Sequence, residues 1–325
     1  DCYVCEIPPG LSLAPQRHLF EEIIYIVKGR GATSVWQEGA SKVTFEWGPG
    51  SLFAIPLNTM HRVVNATSSP ALLLAATTAP NILNLIRNPD YVLNCPYEFL
   101  DRFDASDDYF KPVEDVYADP VRGLAMRRTN IIPDILRCDL PRDNRRSFDY
   151  RRIEPHMAAA NFYMKIAQYK TGQYSKAHKH SSGAILVCIK GKGYTYTWPE
   201  RDGVNPWKDG KTQNIKRVDY EPVGMISAAP GGARWFHQHF GASKEPLRRR
   251  TTRRSTSSSP ARPRSNSGWP RLGPCSTRWA TRTTSSRRFT SAGPTAWRSR
   301  PSSPEMAHVR TQREVVGRLV GRRGG

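Results

Sequence analysis

Apolar and polar positions in the first eighty residues fall into short runs of strand length, not into the longer 3.6-residue period of helices. EIIYIVKG (residues 22–29) is a continuous apolar run closed by glycine, and ATSVWQEG follows at once. KVTFEW (42–47) alternates apolar with polar residues up to a Gly48-Pro49-Gly50 turn, and SLFAIP and HRVVNA come next. Short strands at this spacing predict an all-β sandwich or barrel over residues 1–80. The pattern then changes. APNILNLIRNPDYVL predicts a short helix, and the remainder of residues 81–157 reads as a polar connector with some ordered structure. Strands return over 158–245 in NFYMKIAQYKTG, GAILVCIKG, GYTYTWPE and GMISAAP. Their order, with glycines and histidines between them, repeats that of the first segment, which indicates an internal duplication.

Charge changes this picture only at the end of the chain. The 325 residues carry 49 Lys and Arg against 28 Asp and Glu, a net +21 that would suggest a polyanion binder. From Pro246 onward there are 19 Arg, no Lys, and only Glu305 and Glu314 as acids. Residues 1–245 therefore hold 30 basic and 26 acidic groups, close to balance, and nothing in them calls for nucleic acid. No apolar run is long enough for a membrane span. The six cysteines are scattered, which speaks against a disulfide framework and for a reducing, cytoplasmic setting. Cys2-x-x-Cys5 lacks the second pair that a zinc site would need. The start at Asp1 in place of Met reads as a truncated N-terminus.

Residues 246–325 admit two readings. One is a disordered, Arg/Ser-rich, RNA-binding tail. The other, preferred, is a shifted reading frame. Residues 246–304 lack Lys, Tyr, Ile and Asp yet contain Trp269, Trp279 and Trp297, and an adjacent frame can encode an acidic amphipathic segment. On that reading the net charge is an artefact, and strands expected after the last histidine motif are missing.

Two constellations carry chemistry. Gln16, His18 and Glu22 follow Gly10 and precede Gly29; after Gly50 come Pro56, Asn58, His61 and Asn65. These spacings resemble the two motifs of the cupin superfamily, G-x5-H-x-H-x3-E-x6-G and G-x5-P-x-G-x2-H-x3-N, with Gln16 in place of the first His and Asn58 in place of a Gly. The second copy runs from Gly172 through His178 and His180, with Ala184 at the Glu position, to Gly191. Near Gly224, Pro230-Gly231-Gly232 is followed by Trp235 at the expected His position; a two-residue shift brings His237 into register and Gly241 into the place of Asn. Residues i and i+2 of a strand share a face, so each first-motif pair points into its barrel. Imidazole and carboxylate together suit Fe, Mn, Ni or Zn.

The resemblance implies two tandem jelly-roll (double-stranded β-helix) cupin barrels, a divalent metal, a small-molecule substrate and a homo-oligomer. The preferred metal site is His178, His180 and His237, with His239 as a further candidate; Gln16, His18, Glu22 and His61 form a weaker one. Three-histidine sites occur in the superfamily's ring-cleaving dioxygenases of gentisate type, which this copy resembles. The implied activity is Fe(II)-dependent oxygenation of an aromatic or phenolic acid. Mn- or Zn-dependent decarboxylation or isomerisation, and non-catalytic ligand binding, are the alternatives. His156 and His308 lie outside the motifs. Tyr194, Tyr196 and Trp198 share one strand face and read as core packing, or else as the lining for a planar substrate. Arg151 and Arg152 read as surface charge, or else as carboxylate ligands.

Overall fold

A computed structural model describes residues 1–180, 184–227, 234–242 and 247–254. The tail from residue 255, with both readings proposed for it, and the Pro230-Gly231-Gly232 turn lie outside the described residues. The first barrel contains β1 (Cys2–Ile7), β2 (Glu22–Lys28), β3 (Gly31–Trp36), β4 (Val43–Trp47), β5 (Leu52–Ile55), β6 (Met60–Asn65) and β7 (Ala71–Thr77). Next come α1 (Ala79–Ile86), α2 (Pro89–Asn94), β8 (Tyr117–Ala118), β9 (Ala125–Arg128), β10 (Ile131–Ile132) and β11 (Arg151–His156). The second barrel follows with β12 (Phe162–Tyr169), β13 (Ala184–Lys190), β14 (Gly193–Pro199), β15 (Lys216–Tyr220), β16 (Met225–Ser227), β17 (Trp235–Gly241) and β18 (Leu247–Arg254).

Each barrel pairs a large sheet with a small one. The large sheets have the orders β1-β7-β2-β5-β10 and β16-β13-β18-β12-β11-β9-β8; the small ones are β4-β3-β6 and β15-β14-β17. Packing explains the two kinds of strand seen in the sequence. In β2 the first five residues are all buried. Ile24 and Ile26 enter the first barrel's interior with Phe45, Trp47 and Phe53, while Ile23 and Tyr25 join a second core. That second core takes Ile153, Met164, Ile166, Val187 and Ile189 from the second barrel, so the large sheets share one apolar layer. A strand buried on both faces must be apolar throughout. β4 belongs to a small sheet with one face in water, and its burial alternates residue by residue.

Two expectations change and a third becomes specific. The single helix expected after residue 80 is two helices, because Arg87 ends α1 in the left-handed conformation and the Asn88 side chain caps α2, with Pro89 opening it. The ordered structure expected in the connector belongs to the barrels' own sheets: β10 extends the first barrel's sheet, and β8, β9 and β11 extend the second's. The Arg-rich stretch also begins as structure, since the backbone of β18 pairs with both β12 and β13.

Two motif positions have structural work. Asn58 has φ 54°, the left-handed region in which Asn is among the better-tolerated residues. Asn65 is fully buried and ties three chain segments together. Its Nδ2 donates to the Ile7, Pro8 and Ser69 carbonyls at 3.0, 3.0 and 2.8 Å, and its Oδ1 accepts from the Thr67 amide and hydroxyl. Asn65→Ala strands these groups and is expected to cost about 2–3 kcal/mol, read as a lower urea midpoint at unchanged slope. No helix among the described residues is long and apolar enough to cross a membrane.

Candidate metal centres

The two copies superimpose in register. β3 and β6 pair Gly31 with Asn65 and Val35 with His61; β14 and β17 pair Gly193 with Gly241 and Thr197 with His237. His237 therefore occupies the place of His61, and Gly241 that of Asn65, as the two-residue shift requires. Isolated bridges join Gln16 to His61 and His178 to His237 in the same way, each through paired backbone hydrogen bonds of 2.9–3.0 Å. Glu22 and Ala184 each open the corresponding strand, and both strands carry an irregularity at the same later point.

In the first barrel, one ligand atom each from His18, Glu22 and His61 lies within 4.8 Å of the others, and all three residues are buried. His18 Nδ1 faces the Phe20 carbonyl at 2.8 Å and His61 Nδ1 faces the Thr59 carbonyl at 3.0 Å. A backbone acceptor fixes each ring with its proton on Nδ1 and turns the Nε2 lone pair inward, the outer-shell arrangement of metal-binding histidines. His18 Nε2 is buried with no hydrogen-bond partner among the described residues and lies 3.9 Å from Glu22 Oε2. Burial lowers His18 to about 3, with His61 adding to the effect, and lowers His61 to about 4, so both rings are neutral at pH 7. Burial raises Glu22 to about 7, against the hydrogen bond from Tyr3. A cation at the centre would hold that carboxylate ionised. Two imidazoles, one carboxylate and an orphaned inward lone pair fit a divalent metal. Gln16 stands beside the group, with its amide nitrogen 3.4 Å from His61 Nε2.

One participant was missing from the sequence reading. The Tyr3 hydroxyl donates to Glu22 Oε1 at 2.6 Å from β1, and burial, reinforced by Glu22, pushes its pKa far up. A tyrosine that precedes the first histidine motif gave no spacing signal.

In the second barrel, His178, His180 and His237 likewise bring one ring nitrogen each within 4.8 Å of the others. His178 Nδ1 faces the Lys176 carbonyl at 2.8 Å, again leaving Nε2 to the centre. Burial lowers the pKa of His178 well below the ordinary value, helped by His237 and Arg146. His180 and His237 are buried and His178 is partly so, while Gln16, its counterpart in the first barrel, is exposed. His239 is not in the group. Its Nδ1 faces the Tyr220 hydroxyl at 2.8 Å and Thr195 Oγ1 at 3.1 Å, as a core histidine satisfied by its neighbours.

Two further expectations are settled by strand geometry. Thr195 and Thr197 carry the inward face of β14, so Tyr194 and Tyr196 point away from the histidines and pack with Phe240 and Trp207, while Trp198 is fully buried against Trp207 and Phe236. Cys2 and Cys5 sit on opposite faces of β1, Cys2 in the shared core and Cys5 toward the first barrel's interior.

Residues 3–77 match the family model of the cupin domain. The second barrel repeats the strand order of this segment and the places of its histidines, so the fold is two tandem, all-β barrels of bicupin form. No curated protein matches the sequence. Among solved structures, the chain is similar to a mutant Bacillus subtilis oxalate decarboxylase (12% identity, TM-score 0.48, 79% of this chain and 69% of that one). A structure of that enzyme described for its Mn(II) centres gives 13%, 0.47, 79% and 69%. Vicilin from Corylus avellana (hazelnut) gives 10%, 0.46, 78% and 74%. None of these likenesses is close enough to transfer a reaction.

Proposed function

We propose that this bicupin is a metal-dependent enzyme whose working centre is His178, His180 and His237, holding Fe(II) and oxygenating an aromatic or phenolic acid. The observation that carries the reading is the contrast between the two clusters. Both can hold a metal, but the second offers three imidazoles, whereas in the first an exposed Gln16 stands in the place of His178. A divalent metal there would supply Lewis-acid chemistry and, as Fe(II), redox chemistry toward dioxygen. The chain's own part is to hold three imidazoles together, with His178 aimed by the Lys176 carbonyl, and to shield the centre from bulk water. The buried first cluster is read as a weaker or structural metal site.

The test is oxygen uptake by the anaerobically reconstituted protein across a panel of phenolic acids. Iron-dependent uptake is expected with at least one of them. Turnover supported only by Mn or Zn, without oxygen consumption, would move the reading to decarboxylation or isomerisation. Failure of both centres to retain any transition metal would make the protein a ligand-binding bicupin.

A further inference from the structure

A pocket of about 460 Å³ lies against the segment that leads into the second histidine cluster, and six cations line it together with Leu124, Asp143 and Ala177. Arg122, Arg145, Arg146, Arg152, Lys165 and Lys176 line it, and Lys176 and Ala177 immediately precede His178. A volume of this size suits a small ligand.

Most of these cations already have anions. Arg122 pairs with Asp119 and with Glu154 at 2.6 and 3.0 Å; Arg145 pairs with Asp143 at 2.8 Å. Arg152 contacts Asp143 and lies 3.3 Å from Glu154, and Lys165 lies 3.4 Å from Glu154. Three carboxylates thus serve four of the six cations. No carboxylate among the described residues pairs with Arg146 or Lys176. The two are fixed side by side, since the Lys176 amide donates to the Arg146 carbonyl at 2.9 Å. Burial disfavours the charge on Arg146, and the carboxylate that supports it, Asp143, is already paired with Arg145 and Arg152, so a half-buried guanidinium stands in the wall without an ion pair of its own. The arrangement is stable without a ligand only at a cost that an incoming anion would relieve.

We infer that this pocket binds an oxyanion carrying at least two negative charges, a dicarboxylate or a phosphate ester, through Arg146 and Lys176. The guanidinium supplies a fork for two oxygens and the ammonium a point charge. The bound anion neutralises the surplus that the three carboxylates leave. The inference rests on the proposed metal-enzyme reading only in taking this anion to be the substrate, which narrows that substrate to one with more than one acidic group.

Calorimetric titration of the full-length protein with inorganic phosphate and, separately, with malonate, at fixed ionic strength, tests it. Wild type is expected to bind at least one probe. Tighter phosphate indicates a phosphate ester, and tighter malonate a dicarboxylate. Arg146→Gln should weaken binding by at least about tenfold, with Arg146→Lys intermediate. Lys176→Gln, at an exposed position that the fold does not need, should weaken it by several-fold. Binding should stay within about twofold when the protein is freed of metal by chelation, because the pocket cations and not the metal hold the anion. That result would stand even if the protein proved to bind no metal. The inference is overturned if wild type binds neither probe, if the Arg146 and Lys176 variants bind as wild type does, or if metal removal abolishes anion binding.

Discussion

His178→Ala is expected to strip the second centre of its metal and leave the first unchanged. Outer-shell changes alone commonly cost ten- to a hundredfold in metal affinity. Removing one of three imidazoles should exceed that, so second-centre affinity is expected to fall by more than about a hundredfold. Anaerobic elemental analysis would then show metal content lower by the second centre's share, with oxygen uptake at background. The variant should still fold. His178 sits in a short bridge outside the long strands, and its backbone bonds to His237 do not need the side chain. The complementary change, Glu22→Gln, should lower only the first centre's share. If His178→Ala kept both its metal and its turnover, the working centre would have to be the first one, and the argument from the three-imidazole donor set would fall.

The parts of this molecule that were legible in the sequence are those where one short segment states the rule. His178 and His180 share a face because i and i+2 do so on any strand, and the Gly and His spacings place them at matching points in both copies. The two-residue shift that brings His237 to the centre could be read from Gly241 and the histidine itself, and the register of β17 against β14 agrees with it. β7 was harder. ALLLAAT has the composition of a helix, and it is a strand only because β1 and β2 flank it on both sides; tertiary pairing overrides propensity there. The role of Arg152 was not legible at all. As one of two adjacent arginines it looked like surface charge, yet it is 4% exposed. Its partner Asp143 comes from a turn nine residues earlier, and its other partner Glu154 looks unremarkable until β11 and β12 place Lys165 opposite it. Ion networks assembled across strands leave no periodicity to find.

That network supplies the largest expected effect on stability. Glu154 is fully buried and is the common anion for Arg122, Arg152 and Lys165. Glu154→Ala would leave a buried guanidinium and a buried ammonium facing each other without it. Removing one partner of a buried ion pair costs about 3–5 kcal/mol, more than the pair itself contributes, because the remaining charges stay desolvated. Lys165 offers partial relief with a defined pH dependence. Burial, with Arg152 adding, already lowers its pKa to about 8, and Glu154 is a group holding it up. Without Glu154 the folded-state pKa falls further below the ordinary lysine value, so the folded protein binds fewer protons than the unfolded one across a wider range. Stability then rises with pH through that range, up to the unfolded value near 10.5. Glu154→Ala is therefore expected to be most damaging at acidic and neutral pH and to recover progressively above it. Glu154→Ala combined with Lys165→Met, which removes one stranded charge and fills its volume, should recover part of the loss at pH 7 and flatten the pH dependence. Urea unfolding of the three proteins at pH 6, 8 and 9.5 would show this. A single variant within about 0.5 kcal/mol of wild type at pH 6 would mean that water reaches these cations, and that the polar wall of the second barrel is not the closed network its distances describe.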